Sequence, residues 1–400
     1  MTTRSALDNI IIFLSLALVI FHTFTFTQVY YSFIVTLAIF SLIVLLYLIR
    51  GKGLLYYDRN PMIMTVAFFM LIVIFIGIIA KRTNIVNMVG AYLPFLMWPM
   101  LYSITEPMLN LKSKKRYIVV FTVFLAISMI ATLVVVISDN DASRLLAGAA
   151  SESVGAMYYK KGVGGYGFIY GCAFVIYSFM LWFQSEKNKL LKIALLAIVI
   201  TSFMMILYAS YTIAFFMAIV SIFLSFIAKS NNKKLMLILL VVIILLAVLL
   251  NPILSFIKNI ATELELHWIE NRVGQLINAE ATGNISTLKR VQLYSRSLKS
   301  FFSNILIGGD DVGGHSFLFD TMGRYGLGGL LFGVAYYGLL YKMKKFFKGN
   351  IGLIFIVFMV FLTINTMDTI VLLPMVTYML PLILSLIMQQ EGNYEKNITD

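Results

Sequence analysis

Apolar runs of roughly 16–21 residues recur from one end of the chain to the other, and nothing else in it limits the fold as strongly. A hydrocarbon core about 30 Å thick is crossed by ~20 residues of helix. Only helices and closed barrels satisfy their own backbone polar groups there. The runs lie at 9–24, 29–49, 62–80, 85–104, 117–137, 166–184, 190–207, 210–228, 235–253, 325–341, 351–367 and 370–388. They predict an all-α, polytopic integral membrane protein with about 12 transmembrane helices, forming a single transmembrane domain over 1–400. Sixty per cent of the residues are apolar and 12% are charged, about half the charged share of soluble domains. No stretch reads as a soluble unit.

Lysine and arginine set the orientation. With the N-terminus in the cytoplasm, one side collects 19 of the 31 basic residues, in clusters such as Lys112–Arg116, Lys187–Lys192 and Lys342–Lys348. Most of the other 12 fall in two long loops, which count little, and among short outer loops only Lys81 and Arg82 dissent. The expected topology is N-in and C-in. The net charge of +13 follows from these clusters and from attraction to anionic headgroups. It forms no continuous basic face, so nucleic acid is not an expected partner. The single cysteine, Cys172, allows no intrachain disulfide and no multi-cysteine metal site. Arg4 and the apolar run after it imitate a signal peptide, but no small-residue cleavage site follows, so a retained first helix is expected.

Two outer segments exceed ordinary turns. The first periplasmic loop is expected at 138–165 and a large one at 254–324. In the large loop Ile260, Leu264, Trp268 and Ile269, and then Val291, Tyr294, Leu298 and Phe301, repeat at helical spacing. This predicts two amphipathic helices lying on the membrane face.

The densest chemical signal is LKRVQLYSRSLKSFFSNILIGGDDVGGHSFLFDTMGRYGLGG, from Leu288 to Gly329. A helix carrying Lys289, Arg290, Arg296 and Lys299 leads into Gly308, Gly309, Gly313 and Gly314, then His315 and Ser316. Glycine lets backbone approach a ligand closely, and arginine offers a planar fork matched to phosphate. A histidine there donates to phosphate or accepts a proton near neutral pH. Such a set suits a lipid-linked diphosphate at the outer surface. Plainer alternatives stand beside it. Arg290 and Arg296 also suit the solvated face of an interfacial helix, Asp320 and Arg324 a helical ion pair, and Asp310 and Asp311 a turn. Upstream, Arg272 is a weaker candidate for phosphate or sugar contact. His267 lacks a second metal ligand at helical spacing, so no metal site is expected. In the first outer loop Lys160 and Lys161 precede a GxxxG at Gly167 and Gly171, a pattern more typical of helix packing.

The order "SRLLAG", then "GVGGYGFIYG" opening a helix, then a long outer loop ending in "GGHSFLFDTMGRYGLGGLL" resembles the bacterial O-antigen and capsular polysaccharide polymerases of the Wzy type, which are grouped with the O-antigen ligases. The likeness covers the whole topology, but residues match only near 143–171 and 286–331. It implies a metal-independent glycosyltransferase with a GT-C-like architecture and no cofactor. Such an enzyme uses undecaprenyl-diphosphate-linked oligosaccharides as donor and acceptor on the periplasmic face, with a chain-length regulator protein as a possible partner. The family's functional residues correspond by motif to Arg290 and His315 as the catalytic pair, with Arg272 and Arg144 as further substrate contacts. Arg296 and Asp320 complete the candidate set, Asp320 as a fallback base. One departure is visible: where many relatives carry a small-residue "SR" motif, this chain has Tyr208-Ala209-Ser210-Tyr211-Thr212, without an arginine.

The same parts would serve a ligase that transfers finished polymer to lipid A–core. A flippase or other transporter is the rival from another class. It would place ionisable residues inside the bundle and show repeats, whereas these runs are nearly free of charge.

Overall fold

The computed structural model describes residues 3–30, 32–50, 61–139, 142–147, 152–209, 211–227, 249–265, 287–314, 316–342 and 372–399, with isolated positions within 238–245 and 270–277. Among them there is no strand. The helices are α1 (Thr3–Thr23), α2 (Phe33–Ile49), α3 (Pro61–Ile79), α4 (Ile85–Thr105), α5 (Leu111–Ser138), α6 (Ala142–Ala147), α7 (Glu152–Lys160), α8 (Tyr166–Ser185), α9 (Lys189–Tyr208) and α10 (Thr212–Ile227). They continue with α11 (Leu250–Glu263), α12 (Thr287–Ser303), α13 (Phe317–Tyr341) and α14 (Leu380–Thr399), the last preceded by a π-turn at Met375–Met379.

Among the described residues six helices are long and apolar enough to cross a membrane: Ala6–Thr23, Met62–Ile79, Ile85–Met108, Leu111–Ser138, Tyr166–Ser185 and Lys189–Tyr208. The protein is all-helical and membrane-embedded. Shorter apolar helices, Phe33–Ile49, Ala214–Phe226 and Met375–Gln390, coincide with the runs expected at 29–49, 210–228 and 370–388. The runs expected at 235–253 and 351–367 lie largely or wholly outside the described residues. The run expected to begin at 325 starts earlier, because helix α13 opens at Phe317.

Helix α8 is the axis of the bundle. It packs on α9, α10 and α14, and 89% of its span is buried, against 28% for the spans of α3 and α9. Its sequence fits that place. Gly167, Gly171, Cys172, Ala173 and Ser178 let neighbouring helices come close, and a Cβ on Gly171 would meet Met375 Sδ at 2.2 Å. Lipid-facing helices instead show large apolar side chains outward, such as Phe68, Leu71 and Phe75 of α3.

One end of the bundle holds most of the paired basic residues. Arg50 Nη2 donates to Asp8 Oδ2 at 2.6 Å, tying α1 to α2. The fully buried Lys114 reaches Glu106 at 2.7 Å and Ser385 Oγ at 2.9 Å, joining α5 to α14. Lys115 donates to Glu186 at 2.7 Å, and Trp182 Nε1 donates to the same carboxylate at 3.1 Å. Burial alone would raise the Glu186 carboxyl, but hydrogen bonds from Lys115, the Asn188 amide and Trp182 outweigh it and hold the group below the ordinary carboxylate range. A lowered folded value contributes stability above the unfolded value and loses it as pH falls through the folded one. Glu186→Gln should therefore cost about 1 kcal/mol at neutral pH. The gap to wild type should narrow as pH falls below the ordinary glutamate value of ~4.3 in unfolding titrations of the detergent-purified protein. A gap that persists in acid would show that the charge is not the cause.

At the opposite end, the expected 138–165 loop contains α6 and α7. Ser143 Oγ donates to Gly164 O at 2.8 Å, and Thr25 Oγ1 to Gly162 O at 2.5 Å. The Gly164 amide donates to Thr132 Oγ1 at 2.8 Å. Gly162 has φ +75, and a Cβ there would overlap the Phe26 ring at 2.4 Å. The glycine-rich turn before α8 is thus pinned between α5 and the start of the chain.

Candidate functional site

The site grows from three backbone segments at the loop end of the bundle: α12, the 304–316 loop and α13. Helix α12 is amphipathic. Ser297, Ser300 and Phe301 are buried, while Arg296 and Lys299 face out. It packs on α13, which in turn packs on α3.

Helix α13 is broken at Gly326, where φ is 59° and ψ is −138°. A break beside hydrocarbon needs partners for the freed backbone groups. The loop supplies them. Leu327 N–H donates to Ile305 O at 2.7 Å, and Gly309 N–H donates to Gly323 O at 2.9 Å. This contact is backbone on backbone, and it explains the glycines. A Cβ on Gly308 would lie 2.4 Å from Gly323 O, one on Gly313 2.4 Å from Leu293 O, and one on Gly323 2.6 Å from Ser297 O. The sequence suggested glycines that admit a ligand. Gly308, Gly313 and Gly323 instead admit the protein's own backbone, while a Cβ on Gly314, with φ +78, would meet none of the described residues within 4 Å.

Asp320 is buried, and its carboxylate is occupied. One oxygen accepts from Ser297 Oγ at 2.5 Å and the other from the Ser316 amide at 2.8 Å. Ser297 Oγ in turn accepts from Gly313 N–H at 2.9 Å, and Ser316 Oγ caps α13 by accepting from Phe319 N–H at 3.3 Å. Asp320 therefore fixes both flanks of position 315, and these bonds, rather than a pair with Arg324, are its partners. His315 itself lies outside the described residues, as does Arg272.

A cleft of about 690 Å³ opens between α12 and the loop. Gln292, Ser295, Arg296, Lys299, Ser300 and Ser303 line one side, and Gly309, Asp310 and Asp311 the other. Arg296 pairs with Asp311 across the mouth, and Asp311 holds the guanidinium above its usual range. Both side chains are solvated, so a stronger anion displaces Asp311 at little cost. Among the described residues Ser300 Oγ is buried on the cleft wall without a hydrogen-bond partner.

No protein-family model and no curated protein matches the chain.

The candidates therefore separate by geometry. Tyr294, Ser297 and Phe301 recur at helical spacing on one stripe of α12; the side chain of Arg290, in the first turn, lies outside the described residues. That stripe turns toward the Gly313–Phe319 stretch: Tyr294 lies against Phe319 at 5.2 Å between centroids, and Ser297 binds Gly313. Arg296 and Lys299 lie on the cleft side of the helix instead. Arg144 sits on α6, which packs on α5, α7 and α8. Beside it Tyr211 OH donates to Ser143 O at 3.2 Å, and Tyr166, Tyr170 and Tyr211 form an aromatic trio.

Sequence reasoning missed the role of Lys81. Its Nζ donates to Gly308 O at 3.0 Å and pairs with Asp310 at 3.2 Å. It anchors the loop to the end of α3. The available signal was its dissent from the basic-residue bias.

Proposed function

We propose that the protein is a glycosyltransferase of the polysaccharide-polymerase type, joining lipid-linked oligosaccharide repeats at the outer face of a bacterial inner membrane. The observation that carries this reading is the polar cleft that holds Lys299 and Arg296, the latter paired with a solvated and displaceable Asp311. It is built on an amphipathic helix and locked to the break of a helix entering the bundle. A diphosphate on a membrane-bound carrier, here undecaprenyl diphosphate, arrives at that height. The orientation is N-in and C-in, in a bundle of about twelve spans with GT-C-like architecture.

In this mechanism a hydroxyl of one lipid-linked repeat unit attacks the anomeric carbon of the growing chain. The bond to the carrier breaks, and the lipid diphosphate leaves with the electron pair. Negative charge collects on that diphosphate, so preorganised cations are the main need. Arg290 stabilises the leaving group, with Arg296 and Lys299 holding the phosphates and Arg272 or Arg144 assisting. His315 accepts the hydroxyl proton or binds the diphosphate. Asp320, whose oxygens are both engaged, acts as a positioning residue for His315 rather than as a base.

The test is deletion in the source bacterium followed by a gel of extracted surface polysaccharide. A polymerase deletion leaves core bearing one repeat. Core alone with accumulating lipid-linked polymer would assign the protein as the ligase instead, and an intact ladder would reject both. Arg290→Ala should slow chain growth roughly 10²–10³-fold at wild-type expression, and Arg296→Gln with Lys299→Gln should shorten the ladder. Normal polymer from Arg290→Ala and His315→Ala would reject the site.

A further inference from the structure

A second cavity, of about 390 Å³, lies far along the chain from the cleft, between α5, α8 and α9. Its floor is Trp182 with Met129 and Leu195, all buried, and its rim includes Val123 and Ile130, both exposed. Ala126, Ala194 and Ala197 keep the two flanking helices from filling it. The α5 lining runs from Val119 to Ile130. At 1.5 Å per residue this is about 16 Å of helix, close to half of a ~30 Å hydrocarbon core. The groove is as long as one leaflet is deep.

Its lower end is basic. Val119, Val123, Ala126 and Ile130 recur at helical spacing on α5, and Arg116 continues the same stripe one turn below, exposed. Lys192 lies in the first turn of α9, whose Leu191 and Ala194 line the groove, and its Nζ is 5.3 Å from the Phe183 ring centre. Lys115 is held there by Glu186, which also fixes the Trp182 indole of the groove floor. An apolar trough one leaflet long that ends at cations matches an acyl chain joined to a negative headgroup.

We propose that this groove is a binding site for an anionic phospholipid of the leaflet at the basic end of the bundle, which is the cytoplasmic leaflet in the orientation given above. One acyl chain lies over Trp182, and the headgroup phosphate meets Arg116 and Lys192. The proposal is independent of the enzymatic reading.

Trp182 supplies the readout. The full chain with Trp98→Phe and Trp268→Phe is reconstituted in vesicles containing phosphatidylglycerol or phosphatidylcholine brominated on the acyl chains. Trp182 emission should be quenched preferentially by the anionic lipid. Each of Arg116→Gln and Lys192→Gln should cut the preference roughly fivefold, and Ala126→Phe should reduce quenching by both lipids. Native mass spectrometry of the unaltered protein with the two lipids reads the same preference, should the tryptophan variants fail to fold. Equal quenching or retention of the two lipids would overturn the proposal. So would a preference indifferent to Arg116 and Lys192, or a stable dimer whose contact shields Trp182 from both.

Discussion

Replacing Asp320 by alanine is expected to destabilise the protein by roughly 2–4 kcal/mol and to abolish polymer, while Asp320→Asn leaves both nearly intact. Alanine orphans the buried Ser316 amide, at about 1–3 kcal/mol, and leaves the Ser297 hydroxyl only its longer bond to Leu293 O. Asparagine is accommodated. Its carbonyl oxygen still accepts from Ser316 N–H. Its amide donates to Ser297 Oγ, a hydroxyl with two acceptor positions, one already taken by Gly313. The Ser297 proton then turns to Leu293 O, already 3.3 Å away. The hydrogen-bond frame around position 315 survives with one charge fewer. If Asp320 were instead the catalytic base, asparagine would remove activity at unchanged stability. Unfolding by SDS titration in mixed micelles, read beside the polysaccharide ladder, separates the two. An inactive but fully stable Asp320→Asn protein would sink the positioning role.

How much of this was legible in the sequence varies with the physics behind each feature. The spans of α3, α5 and α9 were plain because hydrocarbon thickness sets their length and lipid contact sets their composition. The central place of α8 was not. Its glycines and tyrosines become a packing face only when α9, α10 and α14 close on it. The stretch from 288 to 329 stood out as the densest polar signal of the chain, and its glycines were read for a ligand. Sequence shows that a Cβ is missing at Gly308 and Gly313, not what occupies the space, which here is backbone from Gly323 and Leu293. Asp320 and Arg324, four residues apart, suggested an ion pair. The buried acceptor instead satisfied nearer backbone and hydroxyl donors, 23 residues away in the case of Ser297. The helix break at Gly326 was hidden because "GRYGLGG" sits in an apolar run whose composition alone reads as continuous helix.

That break carries the second large effect. Gly326→Ala should cost about 3–6 kcal/mol and detach the loop from α13. The backbone conformation at Gly326 is one essentially reserved for glycine, worth of order 1–3 kcal/mol of strain for any other residue. The added Cβ would also sit 2.4 Å from Ile305 O and 2.7 Å from Ile307 N, both backbone atoms with no side chain to swing aside. Relief therefore requires the loop to move as a whole. Moving it breaks the bonds from Leu327 N–H to Ile305 O and from Gly309 N–H to Gly323 O, leaving buried groups unsatisfied at about 1–3 kcal/mol each. Gly314→Ala is the matched control: it bears positive φ but meets none of the described residues within 4 Å, so only strain of about 1–2 kcal/mol applies. Detachment should also expose the buried Gly308 and loosen Lys81 from it. SDS titration reads the stability, and limited trypsin digestion reads accelerated cleavage after Arg296, Lys299 and Arg324. Equal losses from Gly326→Ala and Gly314→Ala would mean that backbone strain alone, and not the interlocked loop, governs this end of the protein.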